Sequence, residues 1–430
     1  MEKVVGVDFG TTNSTVAVAD QFGYVTTGRF HYDEIDAETF RSILFFVPPG
    51  KSPRKPMSSY AGPEAVHHYL HSESGGRLIQ SVKSYLSDSM LQSTNLFGRS
   101  YRFEELLAFL LRSLKSAAVD SGLPFGTRAV VGRPVRFVGS KSAENDLYAI
   151  SRLREALTLA GITEVQFELE PVAAAYSYEA LLNHEELLLV ADFGGGTTDF
   201  SLIRVGPEAR EMKRAEQRIL ANAGLGIAGD DFDAKLVRHL VAPLLGRGSM
   251  CRLVGKTAPM PNWPYAKLEH WHQLSFLKSK ENMEALRSLR AQAVEPEKID
   301  NLRLLITEDL GFRLHSAVQR TKYELSSKTN SLFCFRIPGF EISAPVTRQQ
   351  FEGWISEELQ SIANCVDELM TQAGIHPSRI DRVFLTGGSS FVPAVRALFE
   401  QRFGASRLAS GSEFTSVAKG LALRAREVRW

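Results

Sequence analysis

A glycine-rich turn between two apolar runs constrains the fold of this chain more than any other feature. The runs cover residues 187–191 and 200–205, and a turn between two such runs predicts a β-hairpin. A tight turn needs only one or two glycines, and each glycine within regular structure costs about 0.5–1 kcal/mol. Three glycines in one tip therefore favour a bulky anion lying against bare backbone N–H groups over an ordinary glycine-rich loop. The tip comprises Asp192, Gly194, Gly195, Gly196, Thr197 and Asp199.

Two further stretches repeat this pattern of a strand followed by glycines and hydroxyl side chains. One lies near the start of the chain, and the other covers residues 383–390. Asp8 and Asp192 are separated by about one domain length. Two similar hairpins at this separation predict a duplicated α/β fold with two facing lobes, each presenting a phosphate-binding turn. The residues of these two further turns are Gly10, Thr11, Thr12 and Asn13, and Gly387, Gly388 and Ser389.

Composition excludes several classes of partner. The 50 Lys and Arg residues and the 49 Asp and Glu residues give a net charge of +1, which provides no general attraction to nucleic acid or to a membrane surface. No apolar run approaches the roughly 18–20 residues of a membrane span, and the N-terminus does not resemble a signal peptide. The three cysteines have no C-x-x-C spacing, which is typical of a reduced compartment. We therefore expect a cytoplasmic protein without a nucleic-acid or membrane partner.

Three other patterns suggest different sites, but each lacks an essential part. Residues 224–229 fit G-x-G-x-x-G, yet no Asp or Glu occurs from 234 to 268, where a dinucleotide fold needs an acid for the ribose. The Gly-Lys-Ser and Gly-Lys-Thr sequences at 50–52 and 255–257 lack the leading glycine of a P-loop. The histidines at 67, 68 and 71 have no cysteine, and no acid beyond Glu64, at metal-binding spacing. We interpret them as surface residues.

The three turns resemble the two phosphate turns and the adenosine turn of the actin-like ATPase superfamily. Within it, they are similar to those of the seventy-kilodalton heat-shock chaperone (DnaK-like) family. Four further stretches occur in the family's order: Glu170-Pro-Val-Ala-Ala-Ala, Gly229-Asp-Asp-Phe-Asp, Lys322-Tyr-Glu-Leu-Ser and Val417-Ala-Lys-Gly. This resemblance spans nearly the whole chain. It implies a two-lobed actin-like ATPase fold built from duplicated ribonuclease-H-like domains, each with an inserted subdomain.

The resemblance also implies domain boundaries. Lobe I would cover residues 1–186, with an inserted subdomain at about 29–104. Lobe II would cover residues 187–412, with an inserted subdomain at about 232–345. Residues 413–430 would form a C-terminal helix that returns to lobe I.

One segment of lobe II is longer than the family usually allows. We interpret residues 246–300 as a family-specific insertion, where a co-chaperone or client protein could bind. Apolar periodicity around this part of the chain predicts single helices over 302–326 and 347–373. Thr347 and Gln350 form a capping-box pattern at the start of the second helix.

The resemblance implies roles for five charged side chains. Asp8 and Asp192 would hold Mg²⁺ through its water molecules, and Asp199 would support the site from the second hairpin. Lys83 would contact the γ-phosphate and the attacking water, and Glu170 would orient that water. Phosphoryl transfer needs such groups, because it depends on charge neutralisation and on an attacking group held in line. The implied cofactors are ATP or ADP and Mg²⁺.

The remaining implied contacts surround the nucleotide. Many family members sandwich adenine between two arginines, whereas this chain has Tyr323 and Phe391, which could stack on a purine or pack in the core. Lys322 and Ser326 match ribose and adenine contacts, and Gln319 replaces an acid of the family. The other implied contacts are the turn residues Gly10, Thr11, Thr12, Asn13, Gly194, Gly195, Gly196, Thr197, Gly387, Gly388 and Ser389, together with Gly229 and Asp231.

The expected function is an ATP-binding, slowly ATP-hydrolysing, chaperone-like switch, in which Mg–ATP closes the two lobes about a hinge. The sequence ends soon after Val417-Ala-Lys-Gly, so we expect no peptide-binding domain, and we expect a monomer. Two alternatives stay open. A small-molecule kinase on the same fold would need an acid for its second substrate, and a filament-forming actin relative would sediment in a nucleotide-dependent way. The Glu170-Pro motif favours the chaperone-like function.

Overall fold

The computed structural model describes residues 4–33, 35–49, 57–72, 76–180, 182–211, 218–337, 339–410 and 415–428. The chain forms two compact units. The first consists of Met1–Gly229, Ser361–Ser390 and Val395–Trp430, and the second of Asp230–Gln360 and Phe391–Ala394. The boundaries predicted for the lobes and their inserted subdomains stay predictions.

Two sheets with the same strand order form the centre of the first unit. In each, an antiparallel hairpin is flanked by two successive parallel strands on one side and by an antiparallel strand on the other. This matching order is what the predicted duplication requires. The first sheet has the order Glu164–Leu169, Arg128–Arg133, Val5–Phe9, Asn13–Ala19 and Val25–Thr27, with Phe40–Arg41 also paired to Asn13–Ala19. The second has the order Leu408–Ser410, Arg382–Thr386, Glu186–Phe193, Thr198–Val205 and Ile219–Leu225.

The central strands of both sheets lie in the core. Along Val5–Phe9 all the apolar side chains are buried, and residues 188–191 of the second hairpin are fully buried as well. Such short continuous apolar runs are typical of strands that are covered on both faces. The two predicted hairpins are therefore confirmed, and their buried strands give the turns a rigid support.

Smaller sheets and helices complete the first unit. Ser416–Ala425 packs so closely on Glu170–Glu179 that a Cβ atom at Gly420 would lie 1.6 Å from the carbonyl oxygen of Ala173, so only glycine fits there. The smaller sheets are Phe30–Tyr32 with Ile35–Ala37, Ser58–Ala61 with Ile43–Val47 and Arg77–Gln80, and Ser93–Leu96 with Arg99–Arg102. The other α-helices are Gly62–His71, Phe103–Asp120, Ala143–Leu159 and Pro207–Glu211, and most of Ser356–Ala373 and Pro393–Phe403.

In its described residues, the second unit is mainly helical and contains two hairpins. The hairpins are Met250–Leu253 with Lys256–Pro259, and Asn330–Ile337 with Phe340–Thr347. The α-helices are Gly229–Leu236, Trp263–Glu269, Lys280–Gln292, Pro296–Thr307, Gly311–Ser327 and Arg348–Trp354. None of the helices in the described parts of the chain is both long enough and apolar enough to cross a membrane.

The prediction of one helix over residues 302–326 is wrong. Pro296–Thr307 ends two residues before Asp309, which has a φ of 56°, and Gly311–Ser327 begins two residues after it. A left-handed residue cannot continue a right-handed helix, although the apolar periodicity of the sequence continues across it.

The predicted helix over residues 347–373 begins as expected but is divided at Ile355. Its capping box is confirmed. The Gln350 N–H donates to the Thr347 hydroxyl oxygen at 3.1 Å, and the Thr347 N–H donates to the Gln350 side chain at 2.9 Å. The local start signal therefore predicts the beginning of this helix but not its length.

Candidate functional site

The first turn follows Asp8 and is braced by Ser42. The Ser42 hydroxyl donates to the carbonyl oxygen of Gly10 at 2.8 Å, and the Ser42 N–H donates to that of Thr12 at 2.9 Å. Gly10 has no room for a side chain, because a Cβ atom there would lie 2.1 Å from the carbonyl oxygen of Asn13. These contacts hold the backbone of the turn in one shape between the strands of the first hairpin.

The second turn places two aspartates opposite each other. Asp192 and Asp199 are direct partners across the hairpin, so their side chains share one face of the sheet. The Gly194 N–H closes the turn by donating to the carbonyl oxygen of Thr197 at 2.9 Å. Gly229, which ends the stretch that fits G-x-G-x-x-G, donates its N–H to the carbonyl oxygen of Gly194 at 3.3 Å. This contact brings Gly229 to the second turn.

The third turn lies beside the second. Arg382–Thr386 pairs in parallel with the strand that ends at Phe193. Gly387 has a φ of 81°, and a Cβ atom there would lie 2.1 Å from the carbonyl oxygen of Phe193. Only glycine allows so close an approach with a left-handed backbone. Ser389 is buried in the same turn, and the Ser390 hydroxyl donates to the carbonyl oxygen of Gly387 at 2.7 Å.

Lys83 and Glu170 form a buried ion pair in the first unit. The Lys83 Nζ donates to the Glu170 Oε1 at 2.6 Å, and both residues are less than one tenth exposed. Glu170 begins the helix Glu170–Glu179, where the positive end of the helix dipole favours a negative charge. Lys83 lies in the 3₁₀-helix Val82–Tyr85. The fold therefore brings together two residues that the sequence separates widely.

Four carboxylates act on one another around this lysine: those of Asp8, Glu170, Asp192 and Asp199. Burial raises the pKa of Asp8 to about 7, with a further increase from Glu170 and an opposing effect of Lys83. Burial and Glu170 likewise raise the pKa of Asp199 to about 7, and burial, Glu170 and Asp8 raise the pKa of Asp192 well above its ordinary value. Burial lowers the pKa of Lys83, but Glu170 and Asp8 outweigh this effect and leave it raised. The cluster thus has more negative charge than Lys83 alone can neutralise.

This excess of negative charge fits a divalent cation. A nearby positive charge relieves buried carboxylates whose pKa values are raised by burial and by one another. Among the described residues, no group of three or more His, Cys, Asp or Glu side chains is arranged to hold a metal ion. Asp8 and Asp192 suit Mg²⁺, because this ion keeps several of its water molecules and needs only one or two carboxylates.

The polar side chains predicted to contact the ribose and the adenine, or to lie near the nucleotide, belong to the second unit. Asp231 lies in the first turn of the helix Gly229–Leu236. The Lys322 Nζ is 2.7 Å from the Oδ1 atom of Asp233, which is buried, so its charge is already paired. The Ser326 hydroxyl donates to the carbonyl oxygen of Lys322 at 3.0 Å, one helical turn away. The predicted contacts of these side chains with nucleotide stay predictions.

The two aromatic residues predicted to meet the adenine base are exposed. Tyr323 is 75% exposed on the helix Gly311–Ser327, and Phe391 is 45% exposed. This exposure excludes the alternative that both side chains pack in the core of the second unit. Stacking on a base is the use that the sequence predicts for such side chains.

Three residues that position Asp199 were not predicted from the sequence. The N–H groups of Val135 and Arg136 donate to the Oδ1 atom of Asp199 at 2.8 and 3.4 Å. Gly224 is the partner of Asp199 on the next strand, and a Cβ atom there would lie 2.6 Å from the same oxygen. One signal could have indicated the first two residues. They follow a short buried strand, and sites in α/β proteins lie beyond the carboxyl ends of parallel strands.

A family model described as Hsp70 protein matches residues 72–247 and 292–428, well over half of the chain. The matched ranges contain Lys83, Glu170 and the second and third turns. The match confirms the resemblance and the predicted fold class, an α/β fold of the two-lobed actin-like ATPase type. The unmatched residues 248–291 fall within the predicted insertion, whose role in partner binding stays a prediction.

Proposed function

Because the chain belongs to the Hsp70 family, we propose that it binds ATP with Mg²⁺ through the three turns of its first unit and hydrolyses the ATP slowly. Hsp70 proteins generally bind ATP or ADP with Mg²⁺ and are ATPases that act as chaperones. The observation that carries the proposal is the buried contact of Lys83 with Glu170 among three further carboxylates. Slow turnover suits a nucleotide-driven switch, in which the bound nucleotide sets the state of the protein.

In this proposal the residues of the chain supply orientation and charge. The N–H groups of the turns hold phosphate oxygens. The Lys83 amine, which is charged because its pKa is raised, lies against the γ-phosphate and stabilises the charge that develops during transfer. Glu170 accepts a hydrogen bond from Lys83 and orients the attacking water with its second oxygen. Asp8 and Asp192 would hold Mg²⁺ through its water molecules, and the positive charge supplied there would neutralise phosphate oxygens.

Hydrolysis and binding measured on the same preparation test the function. We expect the chain to release phosphate from ATP in a reaction that requires Mg²⁺. Calorimetry should show that ATP and ADP bind more tightly with Mg²⁺ than without it. A phosphate transfer that depends on an added small acceptor would indicate a kinase instead, and nucleotide-dependent sedimentation would indicate a filament. The absence of nucleotide binding with and without Mg²⁺ would overturn the proposal.

We also propose that Tyr323 and Phe391 stack on the base. Stacking of one base on an aromatic side chain contributes roughly 1–3 kcal/mol. Tyr323→Ala or Phe391→Ala should therefore raise the Kd for ATP about 10-fold, while kcat at saturating ATP changes less than about twofold. Tyr24→Ala is the control, since Tyr24 is 76% exposed in the first unit. If calorimetry gave Tyr323→Ala and Phe391→Ala the same Kd for ATP as the control Tyr24→Ala, the stacking would be disproved.

A further inference from the structure

Lys83 lies on a stretch of chain that has little regular structure of its own. The lysine segment, residues 82–91, begins after Ser81, which has a left-handed backbone with a φ of 52°. One 3₁₀-helix, Val82–Tyr85, is the only regular element among these residues, all of which the structure describes. Within it the Leu86 N–H donates to the carbonyl oxygen of Lys83 at 3.2 Å. So short a helix cannot by itself fix a long side chain, and the position of the Lys83 amine depends on what holds the segment.

Arg152 holds three backbone carbonyl groups of this segment at once. Its Nη1 atom donates to the carbonyl oxygens of Tyr85 at 3.3 Å and Asp88 at 2.9 Å, and its Nη2 atom donates to that of Leu91 at 2.8 Å. The side chain of Arg152 is only 3% exposed. A guanidinium group suits this task because its donors have a fixed planar arrangement, which a lysine amine cannot reproduce.

Arg152 is itself fixed from the opposite side. Its Nε atom donates to the Oε1 atom of Glu104 at 2.5 Å, and its guanidinium carbon lies 4.0 Å from the centre of the Phe103 ring. Both partners stand at the start of the helix Phe103–Asp120, and Arg152 itself belongs to the helix Ala143–Leu159. A buried ion pair is weak evidence for a contribution to stability, because desolvation offsets most of the attraction. The three hydrogen bonds to backbone carbonyl groups indicate that this pair instead fixes the position of the lysine segment.

We propose that Arg152 is a positioning residue for ATP hydrolysis, which holds the lysine segment so that the Lys83 amine stays against Glu170. A second contact points the same way, because the hydroxyl of Ser87 donates to the carbonyl oxygen of Val138 at 2.5 Å. The inference rests on the proposed function, since it assumes that Lys83 acts in hydrolysis. It adds to that function a way in which the helices Phe103–Asp120 and Ala143–Leu159 fix the position of Lys83 through Arg152.

The test compares two pairs of substitutions that remove similar buried ion pairs. Arg152→Met combined with Glu104→Gln removes the hold on the segment without leaving a buried charge unpaired. Arg218→Met combined with Glu179→Gln is the matched control. The Arg218 Nη2 atom donates to Glu179 at 2.5 Å, the pair is equally buried, and the guanidinium lies 5.2 Å from the Tyr176 ring. Arg152→Lys is the conservative variant. It should restore only part of the kcat that the Arg152→Met and Glu104→Gln pair loses, because a lysine amine cannot reproduce the planar donors of arginine.

We expect the Arg152 pair to lower kcat about 10- to 30-fold with KM for ATP within about threefold, because a displacement of about 1 Å in a catalytic group can cost up to 100-fold. The Arg218 pair should leave kcat per folded molecule unchanged. In a Lys83→Ala background the Arg152 substitutions should lower the residual single-turnover rate no further, because residues that act through one group are not additive. Equal kcat values for the two pairs, or an additive loss in the Lys83→Ala background, would overturn the inference.

Hydrogen exchange followed by mass spectrometry separates this inference from the proposed function, because it needs no ATP. Peptides that cover residues 82–91 should exchange about 10-fold faster in the Arg152 pair than in the wild type, and at the wild-type rate in the Arg218 pair. If the wild type hydrolysed no ATP, the proposed function would fail, and the exchange data would still show whether Arg152 holds the segment. Unchanged exchange in the Arg152 pair would refute the inference even in an active enzyme.

Discussion

Lys83→Ala is expected to lower kcat for ATP hydrolysis about 1,000-fold and to leave the Kd for Mg–ATP within about fivefold. The Lys83 amine is buried, cationic and 2.6 Å from Glu170. A preorganised charge that stabilises the charge developing in the transition state raises kcat about 10²–10³-fold, and more in phosphoryl transfer. In the proposed mechanism, ground-state affinity depends instead on the N–H groups of the three turns, which this substitution leaves in place.

Single-turnover hydrolysis and calorimetry measure these two constants separately. Lys83→Ala leaves Glu170 buried without its partner, so circular dichroism must give the folded fraction and kcat must be expressed per folded molecule. Lys115→Ala is the control within the same unit, because the Lys115 amine donates to the carbonyl oxygen of Gly161 at 2.8 Å. Turnover within threefold of wild type, or an equal loss in the control, would remove Lys83 from the proposed mechanism.

The parts of the site that are local in sequence could be predicted from the sequence. Each turn is a short run of glycines and hydroxyl residues after an apolar strand, and Gly10 and Gly387 are glycines because carbonyl oxygens lie 2.1 Å from where a Cβ atom would be. Such steric demands leave a direct mark on the sequence. Lys83 and Glu170 have no such mark. Their pairing at 2.6 Å could be anticipated only by resemblance, since no local pattern reports a contact between distant residues.

The supports of Asp199 could not be predicted for the same reason. Gly224 is a glycine because the Asp199 carboxylate lies beside it on the neighbouring strand, yet in the sequence it belongs to a pattern that suggests a dinucleotide site. The hydrogen bond from the Val135 N–H depends on the order of strands in the fold.

The prediction of helix length fails for a different reason. The apolar period continues through Asp309, and only its left-handed backbone ends the helix.

Asp192→Asn is expected to weaken the apparent affinity for Mg²⁺ in the presence of ATP about 30- to 100-fold. A residue that holds a metal through its water molecules typically affects metal affinity by 10–100-fold, and Asp192 also has the charge of Asp8 nearby. A calorimetric titration with Mg²⁺ at a fixed ATP concentration measures the change in affinity. Asp300→Asn is the control, because Asp300 is an acid of the second unit that accepts a hydrogen bond from Arg290 at 2.6 Å. An unaltered titration for Asp192→Asn would exclude its role in holding the metal.

The same substitution should stabilise the nucleotide-free protein, and more so at pH 8 than at pH 5. The ordinary pKa of an aspartate is near 3.8, and burial followed by Glu170 raises the pKa of Asp192 in the folded state. Between these two values the folded state keeps a proton that the unfolded state has lost, so stability falls as the pH rises through this window. Asparagine does not ionise, and we expect a gain of about 1–2 kcal/mol in the free energy of unfolding at pH 8, with a smaller gain at pH 5, where less of this window has been crossed.

Thermal denaturation at the two pH values measures this gain, and Asp300→Asn should have the opposite sign. Arg290 lowers the pKa of Asp300, so its ion pair stabilises the folded state above the ordinary pKa of an aspartate, and asparagine loses that contribution at pH 8. If Asp192→Asn destabilised the protein equally at both pH values, the carboxylates around Lys83 would not oppose one another in the folded state. The physical reason to expect a cation beside Asp8 and Asp192 would then be gone, whatever the family of the chain.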